Sequence, residues 1–480
     1  MAVAAGDWAA VAGGLSAVPP REVPPRLVPA FIAAALQLDS ATYVRAAARA
    51  AIAADLRPLL RARLARRLAF ADHPHEAWLV LHADPAALAD PGAYTAIVQL
   101  LARIAAAPHA SGELRAAAEA LGRRFAKRAA VTPARAPHAF AQGPAEPRPG
   151  HGPARIVPAP GVSPAIEHAY RRAIEGFESA LRQRPAPAVS ELRDVFVNRL
   201  GQIWLASGEV VQDRSLGLPP ASRAATAGAP SVPAAALAVE AHNSIYHWLA
   251  DWLPSLAWRL EPGAPDVPVL IRDDAAAFVR ESLRMAGGER LPVIGVGDAL
   301  HVGRLLIGTC GAGSLAPLGA HRRLLEALQA AVDAVAEPPE GRPRRLYISR
   351  RDSTKRPMEN EAAVEAALAR LGFRAVTLTG RPLAEQARLL RGADLIAAPH
   401  GAGLVHLLFA RPGTAVFEIM PGDPLAAALR SCMARLSRLL GHRHLIWLEA
   451  QNPVTARWGA NLPAMLPALE AFAEEARPLR

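Results

Sequence analysis

The sequence predicts an α/β protein preceded by an all-α domain, and three observations carry that prediction. Residues 1–130 of the 480 read as helix after helix, rich in Ala, Leu and Arg. Residues 131–162 hold eight prolines and little periodic hydrophobicity. From about residue 163 onward, short β-rich runs alternate with amphipathic helices, the pattern of βαβ units and parallel sheets.

In the first region apolar residues recur at helical spacing, as at Leu59, Leu60, Leu64 and Leu68. Pro19-Pro20, Asp72-His73-Pro74 and Asp90-Pro91 break it into helices of roughly 10–16 residues. Helix pairs would then repeat at about 34 residues, the tetratricopeptide spacing, but the Trp/Leu/Gly/Tyr signature of that repeat is missing. The expectation is a helical-repeat-like domain over 1–130 that packs or contacts a protein partner. The proline-rich stretch 131–162 is expected to be a semi-extended linker.

Expected strands run at 194–198, 202–206, 267–271, 292–296, 345–349, 375–379, 394–398, 415–419 and 444–448. A helix at 318–335 and a Pro/Glu/Gly-rich loop after it split the region into halves at 163–335 and 336–480, facing a cleft. The uncharged stretches 224–239, with Pro230 and Pro233, and 305–320, with several glycines, read as loops.

Composition narrows the function. The formal charge is +11, with 54 Lys+Arg against 43 Asp+Glu, yet Lys127 and Lys355 are the only lysines. No block of like charge or aromatic–basic interleaving marks a nucleic-acid surface, so no nucleic-acid partner is expected. No run approaches the roughly 20 apolar residues of a membrane span, and no basic-then-apolar leader opens the chain. Two cysteines, Cys310 and Cys432, supply neither a disulfide framework nor a zinc quartet, and a reducing cytoplasm is the simplest setting.

The chemistry concentrates after residue 345. Strand 346–349 ends in Arg350-Arg351-Asp352-Ser353-Thr354-Lys355-Arg356. A helix from Glu359, with Glu361 in its first turn, and a second helix from Pro382 to Gly392 separate three strands. The last of these runs into Pro399-His400-Gly401-Ala402-Gly403-Leu404. Gly401 and Gly403 let backbone N–H groups approach a ligand, and the following helix presents its positive end. Arg350, Arg351, Lys355 and Arg356 leave the same sheet edge, where guanidinium forks match a diphosphate. The plainer alternative is a tight βα turn beside a solvated basic loop.

Tyr347-Ile348-Ser349-Arg350-Arg351-Asp352, Asn360-Glu361, Leu371-Gly372-Phe373, Glu385-Gln386, the Pro399–Leu404 turn, Phe409, Gly413 and Glu418-Ile419 occur in one order. Together they resemble glycosyltransferase family 61. The segment His242-Asn243-Ser244-Ile245-Tyr246-His247-Trp248-Leu249-Ala250-Asp251-Trp252-Leu253-Pro254 is similar to that family's Asn…His-Trp-Leu…Leu-Pro block. The resemblance covers roughly 190–420. It implies a GT-B fold of two Rossmann-like domains and inverting transfer, many members using UDP-sugars. It also implies a nucleotide-sugar donor, a glycan or other hydroxyl acceptor, and service in surface polysaccharide assembly. Location would be cytoplasmic, or peripheral at the inner face of the membrane.

Inversion needs one base for the acceptor hydroxyl. On a helix, Asn243, His247 and Asp251 would share one face. Either His247 oriented by Asp251, or Asp251 itself, is that base, unless the pair merely anchors a loop. Arg350, Arg356 and the Gly401–Gly403 backbone are candidates for the departing diphosphate, with Arg351, Lys355, Asn360 and Glu361 as secondary candidates. Glu418 is a candidate for the donor ribose, and His400 for a phosphate or the sugar, unless it only stabilises the turn. No Asp-x-Asp pair offers a metal-bridged diphosphate site, and no cofactor is expected. The acceptor loop is placed at 215–233, while His442-Arg443-His444 reads as a surface strand edge.

Overall fold

The helical spacing of the first region is realised as seven principal helices. They are α1 (Trp8–Ser16), α2 (Val28–Gln37), α3 (Ala41–Ala53), α4 (Pro58–Phe70), α5 (Pro74–His82), α6 (Tyr94–Ala105) and α7 (Gly112–Ala126). Proline at the start of α4 and α5 supplies a preset φ where no N–H is needed. Ser40 caps α3 by accepting from Tyr43 N at 3.4 Å. Arg61, buried at 3% exposure, closes the other end of α3 by donating to Ala51 O at 2.9 Å and Ala54 O at 2.8 Å.

In this computed structural model, residues 7–126, 131, 133–139, 152–182, 187–213, 226–241, 243–288, 291–309, 322–334, 343–353, 356–452 and 456–476 are described. The chain divides into two units. The first holds 1–132, 200–227 and 452–455, and the second holds 133–199, 228–451 and 456–480.

The second unit contains two sheets. Into the first go β1 (Ala134–Ala139), antiparallel to β3 (Ala188–Val197), and β3 is antiparallel to the central β9 (Leu300–Gly308). Parallel strands β6 (Ser231–Leu237), β7 (Val269–Arg272) and β8 (Val293–Val296) continue it from β9. Between β3 and β6 in the chain, β4 (Gln202–Trp204) and β5 (Val210–Asp213) form an antiparallel hairpin that belongs to the first unit.

The other sheet is wholly parallel, in the order β11-β10-β12-β13-β14-β2. Its strands are β2 (Arg155–Pro158), β10 (Arg345–Ile348), β11 (Arg374–Val376), β12 (Leu395–Pro399), β13 (Ala415–Gly422) and β14 (Arg443–Ala450). The unit's principal helices are α8 (Pro164–Arg182), α9 (Ala277–Gly287), α10 (Arg322–Asp333), α11 (Glu361–Arg370), α12 (Leu383–Gly392), α13 (Cys432–Leu440) and α14 (Leu462–Glu475). One face of the parallel sheet, with Tyr347, Phe417 and Trp447, packs on Val364 and Leu368 of α11 and Met465 and Leu469 of α14. The opposite face, with Met420, Ile446 and Leu448, packs on Tyr170 and Ile174 of α8 and Ala434 of α13. Cover on both faces is why β13 is buried throughout and reads as an unbroken apolar run interrupted by Glu418.

Three expectations change here. The stretch read as a linker supplies β1 and β2, so parts of 131–162 are built into both sheets of the second unit, while 140–151 lie outside the described residues. The stretches read as loops contain β6 and the end of β9 at 305–308, strands that pair at the heart of the first sheet, while 310–320 lie outside the described residues. Pro230 and Pro233 carried the loop signal of the first stretch, yet Pro233 packs against β9: a Cβ on Gly303 would sit 3.0 Å from Pro233 O. Finally, α8 falls in the half assigned to the first sheet but covers the second, because its Ile166, Tyr170 and Ile174 stripe fits β13 and β14.

Candidate active site

The parallel sheet changes direction between β10 and β12: the chain leaves β10 toward β11 on one side, and the later strands build on the other. At such a switch point the two loops at the strands' carboxyl ends splay apart and leave a crevice. The loops here are Ser349–Ser353 and His400–Gly403. A cavity of about 630 Å³ opens on them, lined by Asn243, Phe278 and Glu281 from one side and Arg350, Gly403 and His406 from the other.

Arg350 is the link between the two loops. Its guanidinium donates to His400 O and, at 2.9 Å, to Ser353 Oγ. Its own N–H donates to Glu361 Oε1 at 2.6 Å, an oxygen that also accepts from Tyr347 Oη–H and Ser349 Oγ–H. Glu361 therefore shapes the loop and is buried at 4%. Gly401 is needed because a Cβ there would overlap the Arg350 guanidinium. Its φ of 171° is extended, so the constraint is room and not conformation.

Arg356 takes a left-handed backbone, φ 53°, uncommon for a residue with a Cβ. Its Nε is buried and makes no hydrogen bond among the described residues. Burial, then the charges of Arg430 and Arg350, press its pKa down. Arg356 thus lies within electrostatic range of two other guanidinium groups. Arg351 turns away and pairs with Glu365 of α11 at 2.9 Å. Asn360 also faces elsewhere, exchanging hydrogen bonds of 2.8 and 2.9 Å with Ala460. Lys355 lies outside the described residues.

His247 and Asp251 do meet. Ser244 starts a single turn Ile245–His247, which passes into a π-helical turn Trp248–Trp252 and a 3-10 segment Leu253–Leu260. His247 Nδ1 lies 2.8 Å from Asp251 Oδ2. Asp251 is 1% exposed, whereas the His247 side chain is 31% exposed, so the carboxylate sits behind the ring. The hydrogen bond to Asp251 outweighs burial and raises the His247 pKa above its ordinary 6.5. Asn243 does not share their face. It precedes the helix at φ 50°, and its amide bridges Asp274 O and Ala276 N, both at 3.2 Å, ahead of α9. Trp248 and Trp252 are buried core.

Glu418 differs most from expectation. It is 0% exposed, and its two oxygens face His400 Nδ1 at 2.7 Å and His444 Nε2 at 3.0 Å, so burial behind the two histidines keeps it from a ribose hydroxyl. Burial alone would raise this carboxyl, but the two histidine hydrogen bonds hold it at about 2. His444 is buried at 6% and not at the surface, and Ser437 Oγ lies 2.8 Å from its Nδ1. Sequence reasoning missed it because strand register, Glu418 opposite Ile446, is what brings residue 444 under residue 418.

Two further groups escaped the sequence. Glu281 of α9 accepts from Leu383 N at 2.6 Å, tying the start of α12 to the other side of the cavity. His406 lies in the 3-10 segment Ala402–Phe409, 1% exposed, with Nδ1 2.9 Å from Gly403 O and Nε2 without a partner among the described residues. Of the expected acceptor loop, 215–225 lie outside the described residues, and 231–233 belong to β6.

The family model described as Glycosyltransferase 61 matches residues 245–417, from the turn that bears His247 to the strand that bears Glu418. An EGF domain-specific O-linked N-acetylglucosamine transferase of Drosophila melanogaster is 29% identical over 114 residues, 23% of this chain. The chain spans 21% of that relative's length. Residues 245–417 are thus similar to glycosyltransferase family 61.

Proposed function

We propose that the protein transfers a sugar from a nucleotide-diphosphate donor, with a UDP-sugar as the first choice, to a hydroxyl acceptor with inversion at the anomeric carbon. The observation that carries this reading is the convergence of Arg350, Arg356, His400 and the Gly401–Gly403 turn on one topological switch point. The two sheets would be the two halves of a GT-B architecture, with 336–480 holding the donor and surface polysaccharide assembly as the setting.

In the reaction, the acceptor oxygen attacks the anomeric carbon as the bond to the diphosphate breaks. The acceptor proton passes to His247 Nε2, while Asp251 keeps Nδ1–H in place and offsets the imidazolium charge. Negative charge grows on the departing diphosphate, where Arg350, Arg356 and backbone N–H groups of the glycine turn meet it. Because these protein cations already supply the countercharge, the reading expects no requirement for a divalent ion. A screen of nucleotide sugars for donor hydrolysis, with and without EDTA, tests this. Turnover of one donor that persists in EDTA is expected; turnover abolished by EDTA and restored by a divalent ion would remove the arginines from that role.

A further inference from the structure

Across the face of the parallel sheet that packs on α13, a chain of four polar side chains runs through an otherwise apolar layer. His400 follows β12, Glu418 is on β13, His444 on β14 and Ser437 on α13, at 7%, 0%, 6% and 0% exposure. Contacts of 2.7, 3.0 and 2.8 Å join them in that order. Packing does not call for it, since Met420, Ile446 and Leu448 fill the same face. An isolated buried carboxylate is costly and persists only when its oxygens are paired.

The pairing fixes the protons that face Glu418. An ionised Glu418 only accepts, so His400 gives it Nδ1–H and His444 gives it Nε2–H. In the neutral imidazole this leaves His444 Nδ1 as a lone pair that accepts Ser437 Oγ–H. His400 Nε2 is likewise a lone pair, and nothing among the described residues pairs with it. The charged groups around His400 reinforce this. Glu418 on β13 pulls it toward protonation, but burial outweighs Glu418, and Arg356 after β10 and Arg430 in the turn Ala427–Arg430 oppose a further positive charge. Arg350 holds its carbonyl, and Cys432 of α13 lies within electrostatic range of Glu418.

We propose that His444 and Ser437 are positioning residues that, through Glu418, lock His400 as a neutral imidazole whose bare Nε2 accepts a hydrogen bond from a substrate hydroxyl. This rests on the transferase reading for the substrate, but not for the lock. It divides labour at the switch point: the arginines take phosphate oxygens, which carry no proton to give, and His400 takes a hydroxyl of the ribose or of the transferred sugar. Substrate protons, not phosphate charge, are what the second loop reads.

Nitrogen-15 NMR of histidine-labelled full-length protein reads the lock directly, with the His400 signal identified by its loss in His400→Gln. At pH 7 the unliganded protein should show His400 protonated on Nδ1 alone and His444 on Nε2 alone. His444→Phe removes one donor from Glu418, concentrates its charge on His400, and should raise the His400 midpoint by about one pH unit. His444→Gln, which keeps an N–H for Glu418, should return it most of the way. Ser437→Ala, a smaller change, should shift it in the same direction and serves if His444→Phe does not fold. A proton on His400 Nε2, or a midpoint indifferent to both substitutions, overturns the lock.

Titration with UDP and with UDP-N-acetylglucosamine then locates the hydroxyl. Roughly tenfold weaker binding of both to His400→Phe places it on the ribose, and weaker binding of the sugar nucleotide alone places it on the sugar. Unchanged binding of both overturns the contact. Wild-type protein that shows the stated tautomers but binds neither nucleotide overturns the hydroxyl contact together with the transferase reading, and leaves the lock standing.

Discussion

His247 and His406 illustrate how burial and partners send two histidines of one domain in opposite directions. Asp251 raises His247, so a base at this position titrates above pH 6.5. The account expects kcat/KM to fall as pH drops through that raised value, and His247→Ala to lower kcat by about 10²–10⁴ with donor binding retained. Asp251→Ala should move the acidic limb back toward lower pH, as the imidazolium loses its counterion. Near-normal turnover in folded His247→Ala would exclude it as the base. Burial instead depresses His406 to about 4. Its neutral form is favoured by folding, so this contribution is complete above pH 6.5 and lost as pH falls from 6.5 toward about 4. The loss amounts to about 3 kcal/mol, and His406→Phe should flatten the fall in denaturant stability over that window. An identical pH dependence in the variant would contradict the assignment.

At the scale of elements, close approaches of backbone decide more than periodicity does. Gly308 ends β9 directly against the 3-10 segment Leu253–Leu260, where a Cβ would run into the Ser255 carbonyl and touch Trp258. Gly308→Ala should cost about 1–3 kcal/mol in unfolding measurements, since backbone must move. Gly401→Ala is the contrasting case. Its Cβ meets the mobile end of Arg350, so stability should change little while nucleotide affinity falls. A Gly401 variant with normal affinity would show that the Arg350 position is irrelevant to binding.

These glycines also mark where the sequence was legible. The strands β7, β8 and β10–β14 announced themselves by β-rich runs between amphipathic helices, and the switch-point loops by glycine and arginine at strand ends. The strands β6 and β9 did not: β6 carries Pro233, an ordinary loop signal that Gly303 of β9 accommodates across the ladder, and the end of β9 runs into a glycine-rich stretch of sequence. The His247–Asp251 pair was visible as an i, i+4 spacing, which the π turn preserved. The Glu418–His444 contact was not, because it depends on register between strands 26 residues apart in the chain.

For the molecule as a whole, the excess of +11 resolves into two kinds of arginine. Most that can be traced are structural, as Arg61 closing α3, or Arg391 and Arg411 pairing with Asp333 and Asp394. A few meet other cations, with Arg356 beside Arg350 and Arg430 as the clearest case. Among the described residues no helix is long and apolar enough to cross a membrane. Like charges drawn together under partial burial raise the energy of the unliganded site, and an anion lowers it. The direct test is calorimetric titration of UDP into the full-length protein and into Arg350→Ala/Arg356→Ala. The account predicts wild-type binding and a loss of about 2–4 kcal/mol, roughly 30- to 1000-fold, in the double variant. Equal affinity in the two proteins, or no binding to either, would contradict it.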